Sequence, residues 1–123
     1  MSRSTEASGQ EQSPLTPAMF HVLLALVDEE MHGYAILKEV ERRTAGKVRL
    51  SAGTLYGIIK RLHSEGWIAE SNNRPAADLD DERRRYYRLT DQGRSIAVAE
   101  ARRLQELVAM ARNKKLFAKP ELA

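Results

Sequence analysis

The sequence predicts a mainly α-helical fold with a small β-hairpin, and three observations predict it. Apolar residues recur at helical spacing in three successive segments between residues 16 and 66. The spacing then changes to alternation over residues 67–71 and 83–90, where Tyr87 and Leu89 are expected to face inward. Helical spacing returns after Thr90. A chain of 123 residues has room for one small domain with an arm attached.

The composition is that of a soluble globular protein, with 42% hydrophobic and 30% charged residues. The lack of cysteine excludes a disulfide scaffold, a thiolate metal site and a cysteine nucleophile, and it predicts a cytoplasmic location. The longest uncharged run, residues 12–27, is too short to cross a bilayer. The first 13 residues have no apolar signal-peptide core. We therefore expect no membrane partner.

The first two helices have recognisable starts and stops. Thr16 is the predicted N-cap of the first, with Pro17 at its first position. The second is predicted over residues 34–45 and stops at Gly46. The residues expected to face inward are Met19, Phe20, Leu23, Leu24, Val27, Ile36, Leu37 and Val40.

The third helix, from its cap at Ser51 to near Gly66, carries glycine on its outer face. Its inner face holds Leu55, Ile58, Ile59 and Leu62, and its outer side holds Gly53, Gly57 and Lys60, flanked by Thr54, Tyr56 and Arg61. Glycine costs a helix about 1 kcal/mol relative to alanine. Giving up side chains here indicates a large partner that approaches the backbone. The alternative is a surface helix that tolerates glycine.

Three helices followed by a hairpin is the element order of a winged helix-turn-helix, whose third helix enters the major groove of DNA. Residues 38–61 contain seven basic and two acidic residues, a charge that suits a polyanion. Arginines at the tip of a wing can enter the minor groove. The predicted DNA-binding residues are Ser51, Gly53, Thr54, Tyr56, Lys60, Arg61, Arg83, Arg84 and Arg85. The alternative for the last three is a solvated strand, because Asp78, Asp80, Asp81 and Glu82 partly neutralise them.

A long helix is predicted over residues 91–118, with Thr90 as its N-cap. Its apolar stripe consists of Ile96, Leu104, Leu107, Val108 and Ala111. The domain beneath is too small to cover this stripe, so we expect it to pair with the same helix of a second chain. The alternative is packing on its own domain. The predicted organisation is a disordered segment (1–13), a winged-helix DNA-binding domain (14–90), a dimerisation helix (91–118) and a tail (119–123).

Three motifs occur in order: "HGYAI" at residues 32–36, "GTLYGIIKRLHSEGWI" at 53–68 and "RRRYYRLTDQG" at 83–93. Together they resemble the PadR family of bacterial transcriptional regulators, and the single C-terminal helix resembles its short subfamily. The resemblance implies a winged-helix homodimer that binds a palindromic operator and usually represses. It also implies that Thr54 and Tyr56 lie near DNA and that residues 83–86 form the wing motif. Gly57 departs from the family, which often has proline there, and the loop between the strands is long and acidic.

These observations predict a repressor that binds double-stranded DNA as a homodimer and is released by a small-molecule effector of unknown identity. Activation instead of repression stays open. The alternative from another class is a winged-helix protein-interaction module without a DNA role. His21, His32 and His63 lie on different elements, so we predict no metal site and no other cofactor. The sequence has no Ser/His/Asp arrangement, P-loop or dinucleotide motif, so we do not expect an enzyme.

Overall fold

The computed structural model describes residues 15–71 and 85–117. Within these ranges the chain forms four helices and three short strands. In chain order they are α1 (Pro17–Ala25), β1 (Met31–His32), α2 (Gly33–Arg43), α3 (Ala52–Ser64), β2 (Ile68–Glu70), β3 (Tyr86–Leu89) and α4 (Asp91–Asn113). The predicted order of helices and hairpin is therefore confirmed, and β1 is an element that the sequence did not reveal.

Hydroxyl side chains fix the starts of three helices. Thr16, Ser51 and Thr90 accept hydrogen bonds from backbone N–H groups of the first turns of α1, α3 and α4, at 3.1, 3.1 and 3.0 Å. Each bond satisfies a donor that the helix itself leaves unpaired. All three predicted N-caps are thus confirmed.

The start of α2 depends on a different residue type. His32 Nδ1 accepts a hydrogen bond from the Ala35 N–H at 3.1 Å, so the helix begins at Gly33. It ends at Arg43 instead of the predicted residue 45, because Ala45 and Gly46 adopt the left-handed conformation with φ of 55° and 80°. The Gly46 N–H then donates to the Glu41 carbonyl at 2.8 Å, which closes the helix.

The strands form one antiparallel sheet in the order β1-β3-β2. His32 lies opposite Tyr86, and Ile68 lies opposite Leu89. Tyr87 is buried and Leu89 packs against the core, as the alternation predicted. The two residues of β1 complete the sheet on the side of β3 away from β2.

The core lies where α1 contacts α2, α3 and α4. Its most deeply buried side chains are Val22, Leu23, Ile36, Val40, Leu55, Leu62 and Ile68. Because α1 is covered from several sides, Val22, Ala25 and Leu26 are buried beyond its predicted stripe, while Leu24 and Val27 are only partly buried. The predicted inner face of α3 is confirmed, with Leu55, Ile59 and Leu62 buried and Ile58 packed against the core.

The helix α4 leaves the domain after its first turns. Gly93 and Ala97 are its buried residues, and Ile96 packs against the core. The helix ends at Asn113, before the predicted residue 118. None of the helices in the described ranges has the length and apolar character to cross a bilayer.

Candidate nucleic-acid interface

The first turn of α3 presents small polar groups to the outside. Ser51 and Thr54 are exposed, and the Ser51 hydroxyl donates to Thr54 Oγ1 at 3.0 Å while it accepts from the Thr54 N–H. Because Thr54 Oγ1 accepts this bond, its own hydroxyl hydrogen is left for another acceptor. Phosphate oxygens and the edges of bases provide such acceptors.

The two glycines of α3 face open space. A Cβ atom added at Gly53 or Gly57 would have no described atom within 4 Å outside the helix itself. Neither residue adopts the left-handed conformation that favours glycine. Within the described part of the chain, packing and backbone conformation therefore give no reason for glycine at these positions. The outer face of α3 therefore has open space at both glycines, where another molecule could approach the helix backbone.

Tyr56 is anchored on the flank of this face. Its side chain is 43% exposed, but its ring lies across Gly33 at the start of α2. A Cβ at Gly33 would overlap the Tyr56 hydroxyl and stand 2.7 Å from Cζ and 2.9 Å from Cε1. The sequence predicts a DNA contact for Tyr56 and gives no sign of this intramolecular contact. Chain neighbours cannot reveal it, because the two residues come from different helices.

The basic segment around α2 and α3 is partly compensated. The Glu39 carboxylate accepts hydrogen bonds from Arg42 at 2.9 Å and from Arg43 at 2.5 Å. These bonds lower the pKa of the Glu39 carboxyl, and the bond from Arg42 has the larger effect. A second ion pair lies nearby, where Arg49 Nε is 3.4 Å from the Glu41 carboxylate.

The two basic residues predicted on α3 differ in their surroundings. Arg61 Nε lies 3.4 Å from the Glu65 carboxylate. Lys60 is exposed and has no ion pair with a carboxylate that the structure describes. Its ammonium group is therefore the cation on this helix best placed to meet a phosphate.

At the wing, one predicted arginine has an intramolecular partner. Arg85 Nη1 donates to Glu70 Oε2 at 2.9 Å, which joins the start of β3 to the end of β2. The sequence places neutralising carboxylates in the preceding loop and does not reveal this cross-strand neighbour. Arg83 and Arg84 lie outside the described residues, as do Asp78, Asp80, Asp81 and Glu82.

The predicted dimer stripe of α4 divides into two parts. Ile96 is partly buried against its own domain, whereas Leu107 and Val108 are 45% and 43% exposed. Leu104 and Ala111 are half-buried. Val98 and Met110 are further exposed apolar residues on this helix, outside the predicted stripe.

Within residues 15–71 and 85–117, no group of three potential metal ligands is found.

Three helices, a wing and a long terminal helix define a winged helix-turn-helix protein. Residues 22–98, more than half of the chain, match the model of the transcriptional regulator PadR-like family. The chain belongs to this family, and the predicted resemblance is confirmed. No curated protein matches the sequence.

Solved structures share the fold. A transcriptional regulator from Clostridium thermocellum is 24% identical, with a TM-score of 0.64 and with 94% of this chain and 99% of that chain covered. A PadR family regulator from Clostridium difficile is 25% identical, with a TM-score of 0.60 and coverages of 80% and 98%. Bacillus subtilis PadR, solved in complex with operator DNA, is 22% identical, with a TM-score of 0.60 and coverages of 72% and 48%.

Proposed function

We propose that this chain is a homodimeric repressor that binds a palindromic operator in a promoter and is released by a small-molecule effector. The observation that carries the DNA role is the outer face of α3, where Gly53 and Gly57 face open space beside an exposed Lys60. Small residues on such a face allow the helix backbone to lie close to the base edges in the major groove. Family membership and the operator complex of Bacillus subtilis PadR support the same role.

In this mechanism the first turn of α3 enters the major groove. The glycines bring the backbone close to the base edges, and the Thr54 hydroxyl supplies a hydrogen bond to a base or a phosphate. Lys60 and Arg61, further along the helix, hold the phosphate backbone. Such contacts fix the position of the protein without reading sequence, and they make its affinity depend on salt.

The apolar residues of α4 supply the second half of the proposal. Leu107 and Val108 are large exposed side chains on a helix that extends beyond its own domain. Pairing with α4 of a second copy would cover them and place two α3 helices on the same face of DNA. Symmetric helix-turn-helix dimers read half-sites about 34 Å apart, one turn of the double helix. A repressor bound in this way excludes polymerase from the promoter.

Fluorescence anisotropy tests the proposal directly. The full chain is titrated against a labelled fragment from upstream of its own gene and against a shuffled fragment, at several salt concentrations. We expect the promoter to bind about a hundredfold more tightly or better. Two chains should bind per site, and the logarithm of the affinity should fall steeply with the logarithm of salt concentration.

The same titration can also contradict the proposal. Equally weak binding of both fragments at all salt concentrations would contradict the proposal and favour the protein-interaction module. A reporter gene behind the same promoter separates repression from activation, because a repressor lowers its expression when the chain is supplied.

A further inference from the structure

Four residues from four elements meet beside the outer face of α3, and we name them the aromatic corner: His32, Gly33, Tyr56 and Tyr86. The ring of Tyr56, from α3, covers Gly33 at the start of α2. The ring of His32, the residue just before, meets the ring of Tyr86 edge to face, with centroids 5.2 Å apart. The corner therefore joins β1, α2, α3 and the central strand of the sheet.

The contact between Tyr56 and Gly33 depends on the missing side chain of Gly33. This glycine does not adopt the left-handed conformation, so backbone strain does not explain it. The lack of space for a side chain explains it, because a Cβ would overlap the Tyr56 hydroxyl and stand only 2.7 and 2.9 Å from two ring carbons. Any larger residue at this position has to displace the end of the Tyr56 ring from its place against α2.

The other contacts of the corner hold α2 in place. His32 Nδ1 caps the helix through the Ala35 N–H, and His32 is paired in register with Tyr86. The surface against which Tyr56 rests is thus held by the sheet. An aromatic ring adds stiffness to such a contact, because it has only two side-chain torsions to fix.

We propose that Tyr56 is a positioning residue, whose ring against Gly33 sets the angle of α3 relative to α2 and the wing. This inference rests on the proposed function and refines it: the ring controls how well α3 fits a specific operator, and the hydroxyl is not the source of affinity. A misplaced α3 loses contacts with base edges but keeps its attraction to phosphates. The loss therefore falls on the operator and spares unrelated DNA.

Four variants of the full chain test this: Tyr56→Phe, Tyr56→Ala, Gly33→Ala and the double variant Gly33→Ala/Tyr56→Ala. Each is titrated against the promoter fragment and the shuffled fragment, and thermal unfolding reports its folding. Tyr56→Phe keeps the ring, so we expect it to bind the promoter within about twofold of wild type. Tyr56→Ala should bind the promoter about tenfold more weakly, a change of about 1.4 kcal/mol, with binding to the shuffled fragment unchanged.

Gly33→Ala should show the same selective loss in the wild-type background. In the Tyr56→Ala background there is no ring to displace, so the added methyl group should have no further effect beyond about twofold. The comparison of Tyr56→Phe with Tyr56→Ala decides the question even if Gly33→Ala does not fold, because the Tyr56 side chain is partly exposed and both variants keep Gly33.

Each of four results would overturn the inference. If Tyr56→Phe binds as weakly as Tyr56→Ala, the hydroxyl makes the contribution and Tyr56 is a contact residue. If Tyr56→Ala weakens binding to both fragments equally, or the effects of the two alanine substitutions add, the ring does not set the angle. If the wild-type protein fails to distinguish the promoter from the shuffled fragment, the proposed function is wrong and the inference falls with it. This result differs from the others because it is seen without any variant.

Discussion

Gly93, in the first turn of α4, lies against the backbone carbonyl of Trp67 at the end of the α3–β2 connection. A Cβ at Gly93 would overlap the carbonyl oxygen and stand 2.9 Å from the carbonyl carbon. The same joint is closed by the Thr90 hydroxyl, which donates to the Gly66 carbonyl at 2.7 Å, and by the Thr90 N–H, which donates to the Trp67 carbonyl at 3.1 Å. The long helix is thereby fixed to the base of the hairpin.

Replacing Gly93 by alanine is expected to destabilise the protein. The new methyl group meets backbone, which cannot move aside like a flexible side chain, and overpacking of this kind costs about 1–3 kcal/mol. For a domain of this size each kcal/mol lowers the melting temperature by about 4–8 °C. Thermal unfolding followed by circular dichroism measures the change. An unchanged melting temperature would show that the backbone around the Trp67 carbonyl can shift to admit the methyl group at little cost.

Replacing Gly57 by alanine is expected to have the opposite effect on stability and to impair DNA binding. Its Cβ would enter open space, so the helix gains about 1 kcal/mol of stability. In the proposed complex the same methyl group would stand between the helix backbone and the DNA, so promoter affinity should fall. Thermal unfolding and anisotropy titration on one preparation measure both. A variant that is more stable and binds the promoter unchanged would contradict the close approach of α3 to DNA.

Gly66 provides the control for that experiment. It has φ of +82°, a conformation that alanine adopts only with strain, so Gly66→Ala should lower the melting temperature. A rise in both variants would mean that the gain at Gly57 is unrelated to its helical environment.

Replacing Lys60 by alanine is expected to weaken binding to all DNA fragments to a similar degree. In the proposed complex the ammonium group neutralises a phosphate, so its removal should lower the slope of log affinity against log salt by about one unit. Lys114→Ala, beyond the far end of α4, is the matched control and should leave the slope unchanged. If Lys60→Ala leaves DNA binding and its salt dependence intact, the protein-interaction module becomes the better interpretation of α3.

Replacing Leu107 by glutamate is expected to separate the proposed dimer into folded monomers. The side chain is exposed in the single chain, so the change should alter monomer stability by no more than about 0.5 kcal/mol. A charge placed between two α4 helices prevents their pairing, and sedimentation velocity measures the mass. Loss of the second α3 should also weaken promoter binding by about a hundredfold, because the half-sites then bind independently.

Ile96→Ala is the contrasting variant. Ile96 packs against the core of its own domain, so its truncation should lower the melting temperature and leave the mass unchanged. A Leu107→Glu variant that sediments as a dimer would exclude this part of α4 from the interface.

Local chemistry made much of this fold predictable. Thr16, Ser51 and Thr90 are common N-cap types placed immediately before apolar periodicity, and each does cap its helix. His32 was not predicted as a cap, because histidine is not among the residue types usual at that position. The strand β1 was missed because two residues are too few to display an alternating pattern.

The candidate site was predictable in its position and less so in its contacts. The polar face of α3 follows from helical periodicity alone. The structure leaves its predicted residues exposed except Arg61, which is half-buried. The ring of Tyr56 on Gly33 and the pairing of Arg85 with Glu70 join residues from different elements. Such contacts depend on the packing angle between helices and on strand register, which a single sequence does not encode locally.

The position of β3 in the middle of the sheet has a consequence for solubility. Its backbone hydrogen-bonding groups are covered by β1 on one side and β2 on the other, and these two edge strands have only two and three residues in the described ranges. Short edges are a poor template for an incoming strand. Within the described ranges, the sheet therefore offers little free edge to a second copy when many copies of the chain are concentrated together.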